Sequence, residues 1–195
     1  MKWIKRSGGG CVGLIFFLCV CLSLIKIPSC SNQFSSTFEN GDDDSYDPPA
    51  GTCDNAGVSY PDNPFSGWPQ NRSWGDVNYY YCDPVYEQEF GRVHWGIDIN
   101  AGIGEPVYAT ADATVVRASE DTVYGMGKNI KICTSTAWCA IYMHLDDWAV
   151  SSGDNVSAGQ VLGYADNTGF STGPHLHYQI ENPSGEPVDP APTLN

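Results

Sequence analysis

Gly173-Pro174-His175-Leu176-His177 is the stretch on which the reading of this chain turns. Two histidines one residue apart share a face only on an extended strand, where successive side chains alternate. On a helix the same spacing would set the rings far apart around the axis. Pro174 and the β-leaning run Leu176-His177-Tyr178-Gln179-Ile180 favour the strand. His175 and His177 then form a pair of imidazoles aimed at one metal or one reaction centre, with Leu176 and Tyr178 on the opposite face. Turn formers, Asp166-Asn167-Thr168-Gly169 and Ser171-Thr172-Gly173, lead into the strand.

Outward from this stretch, the other histidines also fall in strand-like runs. In Val93-His94-Trp95-Gly96-Ile97-Asp98-Ile99-Asn100 the odd positions are apolar and the even ones polar or glycine, the pattern of a half-buried strand. Its polar face carries His94 and Asp98, with Gly96 between them leaving room that a metal would fit. Cys139-Ala140-Ile141-Tyr142-Met143-His144 alternates too, placing Tyr142 and His144 on one face and Ile141 and Met143 on the other. Further strands are expected at 106–110, 113–118, 129–133 and 160–164, separated by glycine-containing turns, and Pro183-Ser184-Gly185-Glu186 reads as a closing hairpin turn. No long helix-period segment is present. The fold class expected is all-β, an antiparallel, sandwich-like arrangement of about seven to nine short strands with Gly-rich loops.

His94-x-x-x-Asp98, Tyr142-x-His144-Leu145 and Gly173-Pro174-His175-x-His177, in that order within a Gly-rich β domain, resemble the lysostaphin/LytM family of zinc endopeptidases that cut peptidoglycan peptides. The resemblance runs from about Gly91 to Pro190. Flanking pieces agree: Gly104-x-Pro106-Val107, Val156-x-x-Gly159-Gln160-Val161-Leu162-Gly163 and Thr168-Gly169-x-Ser171-Thr172-Gly173. It implies one zinc per chain on His94, Asp98 and His177, with His144 and His175 flanking the reacting water and the scissile carbonyl. Three ligands are the layout of a catalytic zinc, whereas a structural zinc is closed by four. Which of His144 and His175 is the general base is left open, as is the bond cut: glycine-rich cross-bridges or D-alanyl bonds to the diamino acid of the stem.

Rival readings explain less. Carbonic anhydrase and cupin sites also use a His-x-His strand, but neither accounts for His94-x-x-x-Asp98 beside Tyr142-x-His144. A thermolysin-like protease needs His-Glu-x-x-His on a helix, which this chain lacks. The alternative of a different class is a non-catalytic LytM-like domain that binds the cell wall or activates a separate amidase. Such relatives usually lack some of the ligand positions, and all five are filled here.

Charge narrows the partners. Lys and Arg number 9 against 23 Asp and Glu, a net charge of -14, which excludes a basic nucleic-acid surface; the partner the resemblance implies is peptidoglycan peptides. Residues 1–29 read as a signal peptide: Lys2, Lys5 and Arg6 precede an almost unbroken apolar run from Cys11 to Ile27. Ile27-Pro28-Ser29-Cys30 resembles a lipobox, so lipidation of Cys30, with membrane anchoring through the N-terminus, stands beside simple cleavage. The expectation is an exported protein: secreted, periplasmic or associated with the cell envelope. Residues 30–50, with Asp42-Asp43-Asp44 and Pro48-Pro49, read as an acidic disordered linker ahead of a peptidase domain at 51–195 with its core at 91–190.

Four cysteines remain in that domain, and an even number in an exported chain favours disulfides. Of the three possible pairings, Cys133–Cys139 with Cys53–Cys82 is expected. The first brackets a hairpin tip. The second would pin the irregular segment 55–90, rich in Trp68, Trp74 and Tyr79-Tyr80-Tyr81, onto the domain. Those aromatics either line a binding groove or pack over the core.

Overall fold

A computed structural model describes residues 53–195. The signal peptide, the lipobox cysteine Cys30 and the acidic linker lie outside the described residues. In chain order the elements are β1 (Val77–Tyr79), α1 (Pro84–Phe90), β2 (Ile97–Asn100), β3 (Pro106–Tyr108), β4 (Ala113–Asp121), β5 (Gly127–Cys133), β6 (Cys139–Trp148), β7 (Asn155–Val156), β8 (Val161–Ala165), β9 (His175–Glu181) and β10 (Pro187–Val188). All pairings are antiparallel. The sheet runs β1-β2-β9-β6-β5-β4-β7, while β8 pairs with β6 and β3, and β10 closes on β9. Among the described residues no helix is long and apolar enough to cross a membrane.

The alternation read from the sequence sets the two faces of the central strands. Ile97 and Ile99 of β2, Leu176, Tyr178 and Ile180 of β9, and Ala140 and Tyr142 of β6 turn one way into a single apolar core. Each buried aliphatic or aromatic side chain there is worth roughly 1.5–3 kcal/mol of transfer free energy. The opposite face of β9 carries His175, His177, Gln179 and Glu181. Register places Asp98 beside His177 and Asn100 beside His175, so the polar rows of β2 and β9 run side by side.

The short helix α1 is not expected from periodicity, because seven residues do not span enough turns to show one. Local chemistry nonetheless specifies it. Asp83 caps it by accepting from the Val85 amide, Pro84 opens it, and Gly91 ends it in the left-handed conformation at φ 69°. The expected hairpin turn after β9 is present: Asn182 Oδ1 accepts from the amides of Ser184 and Glu186 before β10 begins. Both disulfides join the expected partners, Cys53 with Cys82 and Cys133 with Cys139.

Candidate active site

Two neighbouring strands and the loop before one of them supply the first three site residues. Asp98 Oδ1 lies 2.8 Å from His177 Nδ1 and 3.0 Å from His94 Nε2, and those two ring nitrogens are 3.0 Å apart. All three residues are buried, at 1%, 5% and 7% exposure for His94, Asp98 and His177. The strand expected from Val93 starts only at Ile97; His94 sits in the loop ahead of it. Its Nδ1 donates to the Tyr80 carbonyl at 2.7 Å, and its ring stacks on Tyr86 with centroids 4.2 Å apart. That bond assigns the proton to Nδ1 and turns the Nε2 lone pair toward Asp98 and His177.

The donor set fits a metal cation. One hydrogen on His177 Nδ1 can serve only one of the contacts, whereas a cation would meet the lone pairs of His94 Nε2, Asp98 Oδ1 and His177 Nδ1 together. These are the borderline nitrogen and oxygen donors that zinc accepts. Burial opposes ionisation of Asp98, but hydrogen bonds and charge from His177 and His94 outweigh it and hold the carboxyl well below its usual range. Burial likewise pushes His177 down, favouring the neutral imidazole a metal needs. The room expected beside Gly96 is filled by the His177 ring itself. A Cβ at Gly96 would stand 2.7 Å from His177 Nε2 and 2.4 Å from the Tyr178 carbonyl oxygen.

His144 reaches this face by a route the alternation misassigned. Tyr142 does not share its face: Tyr142 points into the core, where its hydroxyl meets that of Thr110, while His144 joins the site beside Met143. The cause is a bulge. Between the pairs Ile130↔Tyr142 and Lys128↔Leu145, two residues of β6 oppose one of β5, and His144 adopts φ 64°. Such a backbone is uncommon for a non-glycine residue and is held here by bonds from the His144 amide to Met126 O (3.0 Å) and from its Nδ1 to Thr168 O (2.7 Å). Burial, then the charges of His175 and His177, push the His144 pKa down to about 3. His175 stands across from it, ring centroids 4.7 Å apart. Its Nδ1 contacts Gly173 O at 2.8 Å and Ser171 Oγ at 3.0 Å, and its Nε2 is 3.6 Å from Asp98 Oδ2.

The structure thus brings His94, Asp98, His144, His175 and His177 together. A cavity of about 350 Å³ lined by Trp95, Met126 and Met143 opens on one side, and one of about 260 Å³ lined by Asn78, Asn100 and Ser171 on the other. Sequence reasoning missed the positioning groups: the carbonyls of Tyr80, Thr168 and Gly173, and the Tyr86 ring. A main-chain carbonyl carries no residue-type signal. Thr168 and Gly173 do stand in the flanking motif Thr168-Gly169-x-Ser171-Thr172-Gly173, and the Thr168 hydroxyl donates to Leu145 O at 2.7 Å, anchoring the loop that orients His144.

Comparison with known proteins finds relatives over the stretch that carries these residues. The profile of peptidase family M23 matches residues 92–190. Among curated relatives, glycyl-glycine endopeptidase ALE-1 of Staphylococcus capitis is 41% identical over 93 residues, 46% of this chain and 25% of that protein. The DD-carboxypeptidase/endopeptidase Mpg of Neisseria meningitidis is 38% identical over 99 residues, 51% of this chain and 22% of its own length. The chain therefore spans about a quarter or less of the curated relatives it matches. The solved structure of lysostaphin from Staphylococcus simulans superposes with a TM-score of 0.54 at 32% identity, covering 68% of this chain and 53% of that one. The catalytic domain of the M23 protein EnpA from Enterococcus faecalis gives 0.54 at 28%, covering 65% and 95%. With the family profile over half its length, the chain belongs to peptidase family M23.

Proposed function

We propose that the chain is a zinc-dependent endopeptidase of the cell envelope that hydrolyses peptide bonds in peptidoglycan stems or cross-bridges. The observation that carries this reading is the meeting of His94 Nε2, Asp98 Oδ1 and His177 Nδ1 within 4.8 Å of one another, beside the facing rings of His144 and His175. Family membership and the activities named for the relatives support the substrate class. His94, Asp98 and His177 would hold the zinc, which when bound supplies Lewis acidity to the scissile carbonyl and to water.

The remaining chemistry belongs to the two flanking histidines. His175 donates its Nδ1 hydrogen to the Gly173 carbonyl, which leaves Nε2 to take a proton from the attacking water and return it to the leaving amine nitrogen. Asp98 Oδ2, 3.6 Å away, steadies the positive charge that His175 carries in between. His144 stays neutral, its Nδ1 hydrogen held by Thr168 O, and its Nε2 accepts a hydrogen bond that orients the same water. The cavities on either side give the peptide a path across the site. Residues 1–29 as an export leader and 30–50 as an acidic tether complete the proposal, and two disulfides suit an oxidising compartment.

Amine release from purified peptidoglycan, measured beside wall pull-down, is the deciding experiment. The zinc-loaded chain should free new amino groups from walls with glycine bridges or with direct cross-links, and lose that activity on chelation. Wall capture with no amine release from either kind of wall would identify a non-catalytic binding domain instead.

A further inference from the structure

β4 ends on Asp121 and β5 begins on Gly127 directly opposite it, so residues 122–126 close a hairpin. The Asp121 carboxylate is buried inside that loop, 5% exposed, where it gathers the loop's own amides. Oδ1 accepts from Val123 N at 2.9 Å and Tyr124 N at 3.0 Å, and Oδ2 accepts from Tyr124 N at 3.1 Å and Met126 N at 2.9 Å. Burial opposes the charge, but these amides outweigh it and hold the carboxyl below its usual range. A hairpin needs no buried carboxylate in order to turn, and burying one is costly unless it is fully paired. What the charge adds here is a fixed direction for the carbonyls of Gly125 and Met126.

Both carbonyls lead to His144. Met126 O accepts from the His144 amide at 3.0 Å, one of the bonds that hold its φ of 64°. Gly125 O accepts from the Phe170 amide at 2.8 Å, and Lys128 N, just past the loop, donates to Thr168 Oγ1 at 3.1 Å. These two bonds dock residues 168–170 against the hairpin, and Thr168 O is the acceptor that fixes the His144 ring. The backbone and the ring of His144 are thus both tied to the loop that Asp121 organises, although the side-chain bonds of Asp121 stay within that loop.

We infer that Asp121 is a positioning residue for the reaction: through Met126 O, and through the 168–170 loop, it holds His144 in the backbone and ring orientation that aims Nε2 into the site. It acts through these carbonyls and not on the reacting atoms. Charge-assisted bonds suit such a task, being about twice as strong as neutral ones, and a carboxylate that accepts from three successive turns of main chain leaves the loop few other courses. The effect on rate rests on the peptidase reading of the site; the coupling of Asp121 to His144 does not.

A double-mutant cycle on the full zinc-loaded chain tests the coupling. Asp121→Asn keeps the size of the side chain but turns one acceptor oxygen into a donor that faces an amide hydrogen. It should retain zinc and lower kcat for amine release by about ten- to a hundredfold, the scale of a misplaced catalytic group. In a His144→Ala background the same change should lower kcat by less than about twofold, because the group it positions is already gone. Nitrogen NMR shifts of the His144 ring should show the Nδ1–H form in the wild type and a mixture of both tautomers in Asp121→Asn. Asp121→Glu keeps the charge and both oxygens and should lose less rate; if the amide variant does not fold, the cycle and the shifts are read in Asp121→Glu. A rate loss undiminished in the absence of His144, or ring shifts unchanged from wild type, would overturn the assignment and leave Asp121 a stabiliser of its turn. A zinc-loaded wild type that cuts no wall removes the peptidase reading alone, and the ring shifts then decide the positioning role.

Discussion

Gly96 shows how tightly the site is specified at a single position. Its missing side chain is the space in which the His177 ring lies, so Gly96→Ala would drive a methyl into that ring and the Tyr178 carbonyl. The backbone oxygen cannot move far, and the histidine must. We expect Gly96→Ala to bind zinc at least about tenfold more weakly, in line with the loss of a group that orients a ligand; unchanged affinity in a competition titration would show that the ring can relocate. His177→Ala and Asp98→Ala delete donors outright and should abolish zinc and amine release together, and full zinc content in both by elemental analysis would refute the donor assignment. His175→Ala should behave differently. Zinc content should persist while kcat falls on the order of a hundredfold, the usual size of a lost proton-transfer group.

Among the elements, the two disulfides close loops of different length and different consequence. Cys133–Cys139 spans 6 residues at the β5–β6 tip, away from the site residues, whereas Cys53–Cys82 spans 29 and ties down the segment that carries Tyr80. Loop-closure entropy assigns about 2 kcal/mol to the first and about 3.5 kcal/mol to the second. Replacing Cys133 and Cys139 by Ser should therefore lower Tm by several degrees and leave kcat/KM near wild type. Replacing Cys53 and Cys82 should lower both, because the Tyr80 carbonyl that sets the His94 tautomer loses its anchor. Calorimetry beside amine release separates the cases, and intact activity in the second variant would show that β1 and α1 hold Tyr80 unaided.

Across the molecule as a whole, buried histidines make stability depend on pH in a defined direction. The folded-state pKa of His144 lies at about 3 and that of His177 is also lowered, both chiefly by burial. In the unfolded chain each takes a proton below about pH 6.5. Between that value and about 3 the unfolded state binds more protons than the native one, so acid destabilises the fold. The metal-free protein should lose stability as pH falls through this window, and the His144→Gln difference from wild type should shift in favour of the variant by up to about 1.4 kcal/mol per pH unit. Parallel denaturation curves for the two proteins at about pH 7 and about pH 4.5, either side of the unfolded-chain value, would exclude the buried neutral His144.

Local pattern along the chain was enough to specify the main strands and the two faces of β2 and β9, whereas the disulfide pairing was one choice of three and the roles expected of the five site residues came from the family resemblance. Alternation and turn chemistry are local properties, and the ordered polar positions stand out against them. Three features emerged only on folding: the β6 bulge that swings His144 off the Tyr142 face, the carbonyls of Tyr80, Thr168 and Gly173 that set each tautomer, and the occupation of the Gly96 gap by His177. Those depend on register between strands and on main-chain atoms that every residue possesses, which no pattern of side-chain types along one chain can encode.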